Sequence, residues 1–227
     1  LARAGQRTVS AIMFYEPWGK QSHDKFDPMI TTTRKADGTW AYNYDIFDRY
    51  VLLCEEFGID KQINCFSMVP WDMSFRYFDE ASGEYRYITT KTSTEEYRNL
   101  WNNFLKAFKN HLIEKGWFDK TNIAMDERSE ADMLNAYNIA NALGFKMALA
   151  GNYHASLCDK LQDFCVALGQ DKKFTDEQLA SRKAKKQITT VYTSCADTEP
   201  NIYSNSLPAE ATFLPLYAAA NELDGYL

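Results

Sequence analysis

Two spacings of apolar residues alternate along the chain. Short runs rich in β-branched and aliphatic residues, the pattern of strands buried on both faces, occupy 7–14 (RTVSAIMF), 61–68 (KQINCFSM), 121–126, 145–150, 163–168 and 187–193. DGYL at 224–227 opens one more. Between them, spacing of three and four residues predicts helices over 44–57, 93–115, 130–143, 175–185 and 208–222, with a short one near 156–161. The segment 93–115 carries the clearest pattern. Ser93 and Glu96 stand in capping-box spacing, Tyr97, Leu100, Trp101, Phe104, Leu105, Phe108 and Leu112 share one stripe, and Gly116 follows. Thr175 and Gln178 repeat the capping box, Pro208 suits a first helical position, and Leu1 to Gly5 resembles a last helical turn closed by glycine.

Strands separated by helices argue an α/β fold with a parallel sheet. No GxGxxG or GxxxxGK loop follows any strand, so a nucleotide-binding fold lacks its signature. Short strands with mostly single helices predict a (β/α)8 TIM-type barrel, one strand short. The expectation is a single barrel domain over 1–227, incomplete in its first β/α unit and its last helix. Helix-to-strand links are short, at 58–61 and 144–145, whereas the strand-to-helix links 15–43 and 69–92 are long. Barrel sites are built from the latter kind. The first long link carries Tyr15, Trp18, His23, Trp40 and Tyr42; the second carries Trp71, Asp72, Phe75, Tyr77, Tyr85 and Tyr87. Within the second, FRYFDEASGEYRYI predicts a small hairpin turning at Ser82-Gly83.

Composition narrows the chemistry. Aromatic residues are 15% of the chain and gather in those links, where rings line something that stacks: sugars, bases and flat cofactors are all candidates. A net charge of -6 with both signs interspersed argues against a nucleic-acid surface. The one basic cluster, Arg182 to Lys186, is expected to be a solvated helix end. Cys54, Cys65, Cys158, Cys165 and Cys195 form no CxxC pair, which disfavours a disulfide framework and a zinc site, and the three scattered histidines add no metal spacing. No run reaches membrane-spanning length. No cofactor is implied.

The chemistry concentrates at TNIAMDERSEADM, 121–133, where Asp126 and Glu127 end an apolar run side by side. They are either surface punctuation before a helix, where acids favour the helix N-terminus, or the working end of a site. Ser129 and Asp132 already supply capping chemistry there, which weakens the first reading. Paired carboxylates at a sugar-binding mouth suit glycoside hydrolysis, but the usual arrangement places them on opposite sides of the sugar. Adjacent acids fit substrate-assisted hydrolysis instead. There the sugar's own 2-acetamido group attacks its anomeric carbon, one acid protonates the leaving oxygen, and its neighbour steadies the acetamido nitrogen. Asn152, Tyr153 and His154 after the strand 145–150, and Tyr192 and Tyr203 around YTSC, are candidate sugar contacts beside Tyr15, Trp18, Trp71 and Asp72, and a plain loop turn with an incidental histidine is the alternative for 152–154. Cys195 with His154 as base is a thiol-nucleophile alternative, though no nucleophile elbow is visible. Two other readings stay open: a non-catalytic carbohydrate-binding barrel, and a hydrolase of another linkage with Asp72 or Asp197 as a distant second carboxylate.

The strand ending in AMDE, the strand ending in YTSC followed by EPN and a helix led by PAE, the closing DGYL, and DPMI…DGTWAYNYDIFDRYV occur in one order along the chain. In these the chain resembles the catalytic domain of glycoside hydrolase family 123. The resemblance implies a retaining, exo-acting β-N-acetylgalactosaminidase using substrate-assisted catalysis, with Glu127 as general acid/base and Asp126 stabilising the oxazolinium-like intermediate. It further implies a bacterial enzyme acting on glycans, secreted or periplasmic, with an N-terminal β-sandwich ahead of this domain. Val191 and Ser194 depart from the resemblance: the family often shows Trp and a second Cys around this tyrosine-threonine.

Overall fold

The computed structural model describes every residue except Lys20, Ser22 and Asp24, and the chain forms two units, Leu1–Lys146 and Met147–Leu227. In the first, β1 (Thr8–Ile12) is followed by β2 (Thr31–Arg34), β3 (Trp40–Asn43) and helix α1 (Asp45–Glu56). Then come β4 (Gln62–Phe66), β5 (Ser74–Asp79), β6 (Glu84–Thr89), α2 (Glu95–Glu114), β7 (Thr121–Met125) and α3 (Glu130–Ala142). Strands β1, β4 and β7 pair in parallel in that order. All five residues of β7 are buried, as a strand covered on both faces must be.

The stripe on α2 is the core of this unit. Its seven predicted apolar residues are all buried, each contributing about 1.5–3 kcal/mol of gross burial energy. Phe14, just beyond β1, meets Trp101 and Phe104 at 5.1 Å, and Phe75 of β5 meets Trp101 edge-on at 5.6 Å. The Tyr97 hydroxyl donates to the Met68 carbonyl at 2.7 Å, fixing the chain just after β4. The cap is Thr94 rather than Ser93: its hydroxyl accepts from the Tyr97 N–H at 3.2 Å.

The long links are not plain loops. β3, β2, β5 and β6 form a second, four-stranded sheet in that order, antiparallel at β3–β2 and β5–β6 and parallel at β2–β5. The β5–β6 hairpin turns through Asp79–Gly83, where Gly83 takes φ 71° and donates to the Asp79 carbonyl at 2.8 Å. The β2–β3 hairpin turns at Asp37-Gly38, with Lys35 N–H bonded to the Thr39 carbonyl at 2.8 Å.

The second unit contains β8 (Lys146–Gly151, its first residue the last of the preceding unit), β9 (Asp163–Ala167), α4 (Asp176–Ala184), β10 (Ile188–Tyr192), α5 (Pro208–Ala220) and β11 (Gly225–Tyr226). β8, β9, β10 and β11 pair in parallel in that order. Thr175 and Gln178 close their capping box, and Glu210 holds the start of α5 by accepting from the Leu207 N–H at 2.7 Å. Arg182 is not in a solvated turn. It is fully buried, donating to Thr189 Oγ1 at 2.7 Å, to the carbonyls of Leu161 at 3.1 Å and Ile188 at 2.5 Å, and to that of Cys158. A guanidinium that meets this many acceptors tolerates burial where a lysine does not.

The (β/α)8 barrel is therefore corrected. The seven predicted parallel strands are present, three in one unit and four in the other, but four further strands build a separate mixed sheet. Strict alternation fails as well: only a 3-10 turn, Ala155–Leu157, stands between β8 and β9, and the N-terminal helix tail is a single 3-10 turn, Ala2–Ala4.

Candidate active site

Met125 ends β7 in full burial, and Asp126 and Glu127 are the next two residues. A buried strand thus delivers the pair to a fixed point, and the turn to α3 begins directly after it, with Ser129 as N-cap accepting from the Asp132 N–H at 3.2 Å. Asp126 is half-buried and Glu127 is exposed. Among the described residues, Asp126 is held by N–H donors. Its Oδ2 accepts from the Trp18 indole and, over a longer 3.4 Å, from the Trp71 indole; its Oδ1 accepts from the Glu127 backbone N–H at 2.9 Å. The two predicted tryptophans come from the links after β1 and β4, and their backbones are tied together by Trp71 N–H donating to the Pro17 carbonyl at 2.9 Å. Trp18 also packs on Phe66 at 5.4 Å.

Around this centre the other predicted residues divide. The Asp72 carboxylate lies against Gly19, so closely that a Cβ there would overlap it. Arg76 covers one face of the Tyr15 ring at 3.6 Å. Arg128, missed by sequence reasoning, follows the acid pair directly and places its guanidinium 5.4 Å from the Trp71 ring. Its position next to Glu127 is a signal that could have found it.

The second unit carries the remaining predictions. Tyr153 is a packing residue: it stacks on Phe164 at 6.1 Å, meets Phe174 edge-on at 4.8 Å and donates to Gln178 Oε1 at 3.0 Å. Asn152 is exposed, Tyr192 is half-buried, and His154 has a buried Nε2 without a partner among the described residues. Tyr203 donates to the Ser194 carbonyl at 3.1 Å. Asn201, also missed, organises that loop. It is buried, its amide donates to the carbonyls of Ser194 and Asp197 at 3.0 and 2.8 Å, and its oxygen accepts from Thr193 Oγ1 and the Ile202 N–H. A cavity of about 550 Å³ in this unit is lined by Asp171, Lys172, Phe174 and Lys183 among others, and by none of the predicted site residues.

All five cysteines are free thiols; burial pushes the Cys165 thiol up to about 12 and raises Cys65 and Cys158 as well. Among the described residues no group of three His, Cys, Asp or Glu side chains could hold a metal ion, and no helix is long and apolar enough to cross a membrane.

At this strand end two acids stand side by side and two indoles meet on one of them. The comparisons give the class of protein. The family model for glycoside hydrolase 123, catalytic domain, matches residues 1–227, and the chain belongs to that family. A solved structure of a family 123 glycoside hydrolase from Clostridium perfringens, described for glycolipid glycan hydrolysis, aligns with a TM-score of 0.90 and 30% identity. The alignment covers 98% of this chain and 42% of that one, so the chain spans less than half the length of that relative. Among curated proteins none matches.

Proposed function

We propose that this chain is the catalytic part of a retaining, exo-acting β-N-acetylgalactosaminidase that works by substrate-assisted catalysis. One observation carries the reading: the acceptor arrangement of Asp126. A carboxylate offers about four lone-pair sites, and three N–H donors occupy three of them. One site remains to accept the N–H of a substrate acetamido group. That contact would turn the acetamido carbonyl oxygen towards the anomeric carbon and stabilise the positive charge that develops as it attacks.

The steps then follow. The acetamido oxygen forms a bond to the anomeric carbon while Glu127 gives its proton to the glycosidic oxygen and the carbon–oxygen bond breaks. Glu127, now a carboxylate, takes a proton from water as that water attacks the same carbon. The oxazolinium ring opens and the configuration is retained after two displacements. Trp18 and Trp71 keep Asp126 oriented throughout. Galactosamine rather than glucosamine stereochemistry rests on family membership, as do a secreted or periplasmic setting and an N-terminal β-sandwich in the intact protein.

The test is a panel of aryl β-N-acetylgalactosaminide, β-N-acetylglucosaminide and β-galactoside with the intact protein. Turnover that needs the 2-acetamido group and prefers the galacto sugar is expected. Hydrolysis of the plain β-galactoside at a comparable rate would overturn the reading.

A further inference from the structure

The segment Met13 to Pro28, which carries Trp18, is closed at its base by the Met29 N–H donating to the Ile12 carbonyl at 3.0 Å. A single side chain from the four-stranded sheet grips both of its legs. Arg76 of β5 lays its guanidinium on the Tyr15 ring at 3.6 Å and pairs with Asp27 at 2.5 Å, while Tyr85 of β6 backs it at 4.4 Å. Its side chain is only 12% exposed, whereas Asp27 is 78% exposed. An arginine stacked between rings and paired at its edge is pre-organised in a way that lysine cannot copy.

We infer that Arg76 is a positioning residue for the reaction: it fastens the Trp18 segment to the second sheet and so holds the Trp18 indole on Asp126. This rests on the function proposed above only in naming the reaction. Between the gripped residues Tyr15 and Asp27 lies Trp18, three positions beyond Tyr15. Pro17, one position before it, is bonded to Trp71. Loosening the legs therefore reaches the Asp126 donors through a short, covalently continuous path. The second sheet thereby supports the site, since its hairpin carries Arg76 and its Phe75 anchors that hairpin on the α2 core.

The test uses the intact protein and the variants R76L, R76K, W18F and R76L/W18F. With 4-nitrophenyl β-N-acetylgalactosaminide, R76L should lower kcat about ten- to a hundredfold while KM moves less than about threefold. The double variant should lose no more than W18F alone, because both changes act on one contact. A readout independent of turnover is the Trp18 indole N–H resonance, identified as the one absent from W18F. It should shift in R76L towards an unbonded indole, and R76K should fall between R76L and the parent. If R76L does not fold, R76K carries the same readings. Losses that multiply in the double variant, or an unmoved Trp18 resonance, would overturn the inference. Should the intact protein fail to cleave this substrate, the proposed function falls, and the resonance still decides Arg76.

Discussion

Replacing Asp126 by asparagine separates shape from charge at the centre of the site. The parent carboxylate faces two indole donors at one oxygen and the Glu127 N–H at the other. An amide has one acceptor oxygen. Turned to the indoles, it sets its NH2 against the Glu127 N–H; turned the other way, it sets donors against both indoles. The first costs one hydrogen bond and the second two, so the oxygen should stay with Trp18 and Trp71. Losing one bond to a charged acceptor costs about 1.5–3 kcal/mol of stability. For a chain of this size that corresponds to a fall in Tm of roughly 3–12 °C. Catalysis should lose more. The negative charge opposite the developing oxazolinium disappears, and removal of one such stabilising group costs about 2.7–4 kcal/mol, or roughly a hundred- to a thousandfold in kcat. Steady-state rates on an aryl β-N-acetylgalactosaminide, with thermal melts of the same samples, measure both. A D126N variant with kcat within threefold of the parent would refute the role given to Asp126. An unchanged Tm would refute its three-donor setting.

Two further changes probe the scaffold. Arg182→Met should cost about 3–5 kcal/mol, read as a shift in urea midpoint, because the carbonyls of Cys158, Leu161 and Ile188 and the Thr189 hydroxyl lose their donor; a loss under about 1 kcal/mol would contradict this. Asp132 should make the protein acid-sensitive. Burial pushes its carboxyl up, but hydrogen bonds from Ser129 and Thr92 and the nearby Arg128 charge hold it below its ordinary value. The stability it contributes is present above the unfolded value of about 3.9 and is lost as pH falls through the lower folded value. D132N should flatten that acid limb, and the same slope in both proteins between pH 2.5 and 6 would contradict it.

Much of the frame was legible in the sequence because it depends on local rules. The α2 stripe, the Thr175 capping box, Pro208 and the seven parallel strands follow from periodicity and caps, and the structure places them within a few residues. The barrel expectation failed because the strand count cannot say which segments pair. TTTR and WAYN read as aromatic loop, yet Asp37-Gly38 between them is a strong hairpin signal, and their sheet forms only by pairing β2 with distant β5. Asp126 was legible at a strand end and its two tryptophans as residue types in the long links. That Trp18 and Trp71 would meet on one carboxylate oxygen was not, since residues 18 and 71 come together only through folding. Arg182 shows the limit of composition: Lys183, Lys185 and Lys186 are exposed as the basic run predicts, but the acceptors that bury Arg182 come together only in the fold.

The central claim, that Glu127 protonates the leaving oxygen beside an acetamido nucleophile, meets its most direct test in leaving-group dependence. Glu127→Gln in the intact protein should lower kcat on phenyl β-N-acetylgalactosaminide by about a hundred- to ten-thousandfold. On the 2,4-dinitrophenyl glycoside, whose leaving group needs no proton, formation of the oxazolinium should be far less affected. A loss of equal size on both substrates, or parental turnover of the phenyl glycoside, would contradict the account.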